Sequence, residues 1–143
     1  MKSSDTTADD SLLLNRRKVE NSKRKVEDFQ LVRIIGAGTF GKVYLAILNG
    51  KSFALKILSK KRIIELKQID HIRNEKNILA GISHPFIVNL VESFQDILNI
   101  YLVFDFVQGG EIFRLLRKEN SFPNDVALFY IAEITLSLQF LHK

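Results

Sequence analysis

Three glycines, one lysine and one glutamate carry the chemistry that can be read directly from this chain. Gly36-Ala37-Gly38-Thr39-Phe40-Gly41 has the spacing G-x-G-x-x-G. Glycine has no Cβ, so backbone N–H groups in such a segment can approach phosphate oxygens closely. Dinucleotide-binding proteins use the same spacing, but there the glycines open a helix whose N-terminus holds a pyrophosphate. Here they are followed by Val43, Leu45 and Ile47 alternating with Lys42, Tyr44 and Ala46, the two-residue period of a half-buried strand. The glycines therefore belong to a turn between two strands. Such a turn can form a flap over a nucleotide, with Phe40 at its tip shielding phosphates from water. A plain glycine-rich hairpin is the alternative.

Lys56 lies inside Phe53-Ala54-Leu55-Lys56-Ile57-Leu58. In a strand it shares a face with Ala54 and Leu58, and that face should be apolar. An ammonium placed there needs an anionic partner. Glu75 follows Ile72 by three residues and precedes Leu79 by four, which puts it on the core-facing stripe of a helix. A Lys56–Glu75 contact is the economical arrangement, and breaking such a buried pair costs on the order of 3–5 kcal/mol. A purely structural ion pair satisfies the same pattern. The glycine flap two strands earlier favours a pair that orients phosphate. No metal site is expected: there is no cysteine, and His71, His84 and His142 lack ligand spacing.

The elements that must position these groups follow from the same patterns. Phe29 to Ile35 suggests a first strand, Lys42 to Leu48 a second, and Phe53 to Leu58 a third. Asn49-Gly50 joins the last two as a hairpin turn. Residues 59–80 read as one helix with Ile69, Ile72 and Leu79 on its stripe and Gly81 as its C-cap. Val88–Phe94 and Ile100–Phe106 read as two further strands around a polar turn at Gln95-Asp96. Gln108-Gly109-Gly110 breaks the pattern. A short helix near Glu111–Lys118 and a long apolar one over Asp125–His142 close the sequence.

The 143 residues are 46% hydrophobic, which allows a packed core and excludes general disorder. No apolar run is long enough to span a membrane. The acidic start excludes a secretory signal, and Lys2 excludes N-myristoylation. An intracellular, cytoplasmic protein is the expectation. Residues 1–10 read as a disordered acidic tail. Ser11 to about Asp28 reads as a helix with Leu12, Val19 and Val26 on one thin stripe. Two basic knots, Arg16-Arg17-Lys18 and Lys23-Arg24-Lys25, fit the solvated face of that helix. Nuclear import, RNA or acidic lipid are their other readings, nucleic acid being disfavoured because no aromatics are interleaved. Arg16-Arg17-Lys18-Val19 also has the shape of a pseudosubstrate for basic-directed kinases.

Taken together, these residues resemble the small lobe of eukaryotic protein kinases. Gly36 to Val43 fits G-x-G-x-x-G-x-V, Phe53-Ala54-Leu55-Lys56 is similar to V-A-I-K, and Glu75 matches the partner on the family's helix αC. Lys67 to Leu79, His84-Pro85-Phe86-Ile87-Val88 and Tyr101 to Phe113 are similar to the cAMP-dependent, AGC-group Ser/Thr kinases. The resemblance covers about residues 28–143. It implies an α+β fold: a kinase-like small lobe of five antiparallel strands with one αC helix, then a hinge and the first two helices of a truncated large lobe. The implied boundaries are 1–28 for the tail and N-terminal helix, 29–104 for the small lobe, 105–110 for the hinge and 111–143 for the start of the large lobe.

The resemblance also implies roles. Gly36, Ala37, Gly38, Thr39, Phe40 and Gly41 would cover the ATP phosphates. Val43 and Ala54 would roof the adenine ring. Lys56 would hold the α- and β-phosphates, fixed by Glu75. Phe104 would be the gatekeeper, Asp105 and Val107 would offer hinge backbone groups to adenine, and Glu111 would meet the ribose and a basic substrate residue. Leu79 and Leu90 would belong to a hydrophobic spine, and His71 would face an activation-loop phosphate unless it is simply a surface histidine. ATP, a protein substrate with basic residues near Ser/Thr, and a cyclic-nucleotide-responsive regulatory subunit are the implied partners. Three departures stand out: a short Asn49-Gly50 turn, a bulky Phe104 where close relatives carry methionine, and no tryptophan in the N-terminal segment.

The sequence contains no H-R-D, D-F-G or A-P-E stretch. The Asp, Asn and magnesium ligands that phosphoryl transfer uses are therefore absent from these residues, and magnesium would be held by the part of the large lobe that is missing. The 143-residue chain is expected to be inactive alone, and also poorly soluble, because a helix apolar around most of its circumference expects to be buried. A non-catalytic lobe that binds a regulator or scaffold is the alternative reading.

Overall fold

The computed structural model describes residues 23–142. The expected disordered tail, most of the N-terminal helix and the pseudosubstrate-like segment lie outside the described residues. Lys23 to Lys25 is not helical, and among the described residues a single 3-10 turn, Val26–Asp28, precedes the sheet.

Five strands follow, all antiparallel: β1 (Gln30–Ala37), β2 (Gly41–Leu48), β3 (Lys51–Ser59), β4 (Leu90–Gln95) and β5 (Asn99–Asp105), in the spatial order β1-β2-β3-β5-β4. Asn49 and Gly50 both have positive φ, 50° and 77°. That is the geometry of a two-residue turn whose twist matches its strands. Between β3 and β4 the chain crosses one sheet face through α1 (Lys60–Glu65) and α2 (Ile69–Gly81). After β5 come α3 (Ile112–Glu119) and α4 (Asn124–Leu141). Among the described residues no helix is long and apolar enough to cross a membrane.

The single helix expected over 59–80 is in fact two. Lys67 takes a left-handed φ of 53°. Its N–H bonds to the Ile64 carbonyl at 3.0 Å, and the Gln68 N–H bonds to the Ile63 carbonyl at 2.9 Å. These are the two bonds of a Schellman closure, made with lysine where glycine is usual. The apolar stripe runs across the break, so periodicity alone does not show it. Gly81 is not a left-handed cap either: it is the last residue of α2, and Ile82 closes the helix by donating to the Leu79 carbonyl. Ile69 is 48% exposed because it begins α2 at this break, whereas Ile72 is buried.

The sheet carries a core on each face. Phe29, Ala46, Phe53, Leu55, Phe94, Tyr101 and Val103 form one cluster, in which Phe94 stacks on Phe29 and on Tyr101. Leu58, Ile63, Ile72, Leu90 and Leu102 form the other, under α1 and α2. Leu55, Leu102 and Val103 are fully buried, each contributing about 1.5–3 kcal/mol. No residue of α4 is buried. It meets the loop before β4 where the His84 and Phe140 rings lie 4.9 Å apart.

Candidate functional site

The register of β2, β3 and β5 assembles the site. Val43 pairs with Lys56 and Lys56 with Leu102; Leu45 pairs with Ala54 and Ala54 with Phe104. Directly paired residues in an antiparallel sheet share a face, and residues two apart on one strand do also. Val43, Ala54, Lys56 and Phe104 therefore lie on one face, the face that α2 covers. α2 supplies Glu75, whose Oε1 accepts a hydrogen bond from Lys56 Nζ at 2.7 Å. The two side chains remain 29% and 32% exposed, so the pair is half-buried rather than buried as expected. Solvent screening brings its contribution near that of a surface pair, about 1 kcal/mol or less.

The glycine hairpin closes with the Gly38 N–H donating to the Gly41 carbonyl at 2.9 Å. The three glycines differ in what they answer to. A Cβ on Gly41 would sit 1.8 Å from the Ile57 carbonyl oxygen, so the close approach of β2 to β3 requires glycine there. A Cβ on Gly36 would only touch Val43 at 3.6 Å, and one on Gly38 would meet nothing within 4 Å. The chain itself does not demand glycine at Gly36 or Gly38. The space beside Gly38 is where a ligand could approach the backbone. Ala37 ends β1 and Thr39 is exposed at the turn. Phe40 departs from expectation: its ring is half-buried and packs against the cluster under α1 and α2 instead of standing over the turn, while its carbonyl accepts from the Ser59 N–H.

Phe104 packs against the same cluster, next to Leu90. At the end of β5 the Asp105 N–H donates to the Asn89 carbonyl at 3.3 Å, and Asn89 Nδ2 donates to Asp105 Oδ2 at 3.4 Å. This clasp on the start of the hinge was not visible in the sequence, where Asn89 reads as an ordinary strand residue. Val107 is exposed. Glu111 caps α3 through its backbone carbonyl, leaving its carboxylate exposed and without a cap bond. Leu79 and Leu90 meet the same cluster, and His71 is exposed. Also unforeseen is a cavity of about 410 Å³ between α1, α2, β4 and β5, lined by Ile63, Ile72, Ile100 and Leu102 with Lys60 and Lys76 among its borders. Its signal was the Ile63-Ile64 pair, which the single-helix reading left without a role.

The general model of the protein kinase domain matches residues 29–143. This chain belongs to the protein kinase family. The kinase sequence is 51% identical over 126 residues to the cAMP-dependent protein kinase catalytic subunit of Dictyostelium discoideum, covering 86% of this chain and 19% of that relative. It is 45% identical over 125 residues to cAMP-dependent protein kinase type 3 of Saccharomyces cerevisiae, covering 86% and 31%. It is 46% identical over 126 residues to serine/threonine-protein kinase Sgk3 of Rattus norvegicus, covering 86% and 25%. The kinase chain thus spans between about a fifth and a third of the length of these relatives. The resemblance to cAMP-dependent and other AGC kinases holds, and the five-stranded α+β small lobe has the expected architecture.

Proposed function

We propose that this chain supplies the nucleotide-holding lobe of a serine/threonine protein kinase of cAMP-dependent type, which passes the terminal phosphoryl group of ATP to protein hydroxyls near basic residues. The observation that carries this is the Lys56–Glu75 contact on the sheet face shared with Val43, Ala54 and Phe104, beneath a hairpin that leaves open space at Gly38. Lys56 is aimed by Glu75, so its ammonium is held in one place for phosphate oxygens without needing to reorganise. The backbone of Gly36, Gly38 and Gly41 would lie over those oxygens, with Val43 and Ala54 against the base. Phe104 would limit the depth of the pocket, the backbone at Asp105 and Val107 would meet the base edge, and Glu111 the ribose or a basic substrate residue.

The residues present do not fit a magnesium site. Among the described residues no group of three or more His, Asp or Glu side chains converges. The described residues therefore offer no cluster to hold the metal that phosphoryl transfer uses. Incubated with ATP, magnesium and an arginine-rich peptide, the 143-residue chain should incorporate no phosphate, and robust incorporation would refute this. ATP titration tests the binding reading. Binding should be weak, and Lys56→Met should weaken it about tenfold or more, the worth of a charge-assisted hydrogen bond. Unchanged affinity would overturn the assignment of Lys56.

A second reading is a non-catalytic lobe that binds a regulator or scaffold. It predicts intact partner binding in a Lys56→Met variant. The division into a 1–28 N-terminal segment, a 29–104 small lobe, a 105–110 hinge and a 111–143 large-lobe start belongs to this proposal. So do a cyclic-nucleotide-responsive regulatory partner and a cytoplasmic location with nuclear entry through the basic knots.

A further inference from the structure

One corner of the lobe takes no part in the nucleotide reading. The β4–β5 turn ends in Ile97 and Leu98, which are 91% and 71% exposed. A slack turn could fold such side chains back onto the sheet, but this one is braced outward. Asp96 Oδ1 accepts from the N–H groups of Leu98 and Asn99 at 2.7 and 2.6 Å, and Asp96 Oδ2 accepts from the Tyr101 hydroxyl at 2.6 Å. The start of α1 is fastened to the same turn. Lys60 N–H donates to the Leu98 carbonyl at 2.9 Å, and Lys60 Nζ donates to the Asp96 carbonyl. α1 therefore sets Lys60, Lys61 and Arg62 beside the apolar tip, with exposed Ile64 one turn along.

The charge of this corner is one-sided. Residues 60–67, on and just after the helix fastened to this turn, carry four cations against one carboxylate. That carboxylate, Glu65, lies 3.9 Å from Lys61. Asp96 faces its own turn and Tyr101.

We propose that this corner docks on an anionic lipid bilayer, with Ile97 and Leu98 entering the boundary between headgroups and acyl chains and the α1 cations resting on the headgroups. A convex apolar tip needs an acceptor that deforms around it, which a fluid bilayer does and a preformed protein surface does only if it carries a matching pocket. The flanking cations supply the attraction that a neutral membrane would not, and salt screens it. Each cation near such a surface multiplies partitioning about fivefold. Transfer of an exposed Ile or Leu out of water multiplies it about tenfold. Lys60, Lys61 and Arg62 stand beside two exposed apolar side chains on a braced turn, so the electrostatic attraction and the apolar anchor act at one place.

The test is co-sedimentation of the 143-residue chain with phosphatidylcholine vesicles, with and without phosphatidylserine. Binding should require phosphatidylserine and fall with added salt. Ile97→Ser with Leu98→Ser should weaken it by about a hundredfold. Lys61→Gln with Arg62→Gln should weaken it about 25-fold. Both variants should melt like the parent, since all four side chains are exposed. Equal binding to neutral vesicles would overturn the proposal, because the exposed apolar face of α4 would then be the anchor. Binding that survives either pair of substitutions would overturn it too. So would self-association of the parent that the Ile97 and Leu98 changes abolish, which would make the corner an interface between copies.

Discussion

Substituting Gly41 by Ala separates the glycine that the fold needs from those that leave room for a ligand. The new Cβ would stand 1.8 Å from the Ile57 carbonyl oxygen and 2.9 Å from its carbon. Reaching an ordinary contact of roughly 3.5 Å requires the backbones of β2 and β3 to part by about 1.7 Å. The flanking bond from the Ser59 N–H to the Phe40 carbonyl, 2.9 Å long, links the two strands and would not survive that separation. Overpacking costs about 1–3 kcal/mol and each stranded backbone group about 1–3 kcal/mol, so about 3–4 kcal/mol is expected in total. For a chain of this size each kcal/mol moves Tm by about 4 °C, which gives a fall of about 12–16 °C. Gly38→Ala is the control. Its Cβ meets nothing, and its φ is not left-handed. Restricting the unfolded chain should therefore raise stability slightly, by about 0.4–1 kcal/mol. Thermal and urea unfolding followed by circular dichroism measure both. Comparable losses in the two variants, or a Gly41→Ala protein as stable as the parent, would refute the steric argument. If Gly38→Ala folds normally yet weakens ATP binding, the open space above the hairpin is a ligand's.

Three further outcomes follow from particular contacts. Lys67→Gly should stabilise the chain by up to about 1 kcal/mol, because glycine takes the left-handed position between α1 and α2 without the Cβ penalty; a loss of stability in urea unfolding would mean that the lysine side chain matters more than its backbone. Glu75→Gln should cost about 1 kcal/mol or less in urea unfolding, since both partners of the Lys56 pair are about a third exposed; a loss of 3 kcal/mol or more would show a pair desolvated like a buried one. The Tyr101 hydroxyl bond, followed by the Asn99 N–H, holds the Asp96 carboxyl below the usual carboxylate range. A group lowered in this way stabilises the fold above its unfolded pKa, and the contribution is lost as pH falls through the folded value. Melting temperature should therefore drop as pH falls below about 4, and Tyr101→Phe should flatten that limb; an unchanged slope would argue against the bond.

The α+β class, the five strands and the pairing of Lys56 with Glu75 were legible in the sequence because each depends on a short period. Two-residue alternation sets which face of β3 carries Lys56, and three- and four-residue offsets set which face of α2 carries Glu75. Once an ammonium stands on an apolar face, a carboxylate must come to it. Asn49-Gly50 was legible for a similar reason, since few other dipeptides accept two positive φ angles.

What the sequence could not express were properties set by neighbours distant along the chain. The apolar stripe of residues 59–80 continues across the break at Lys67, so only the closure onto the Ile63 and Ile64 carbonyls reveals two helices. Gly36, Gly38 and Gly41 are identical letters, and the nearness of Ile57 alone makes one of them obligatory. Phe40 turns inward because the cluster under α2 offers its ring apolar surface, which no local period records. The exposure of the Lys56–Glu75 pair, and hence its modest worth, depends on how closely β2, β3 and α2 approach one another. Local periodicity chose the partners and faces, while packing between separate elements chose depth, spacing and strength, since only there do atoms from unrelated stretches of chain compete for the same volume.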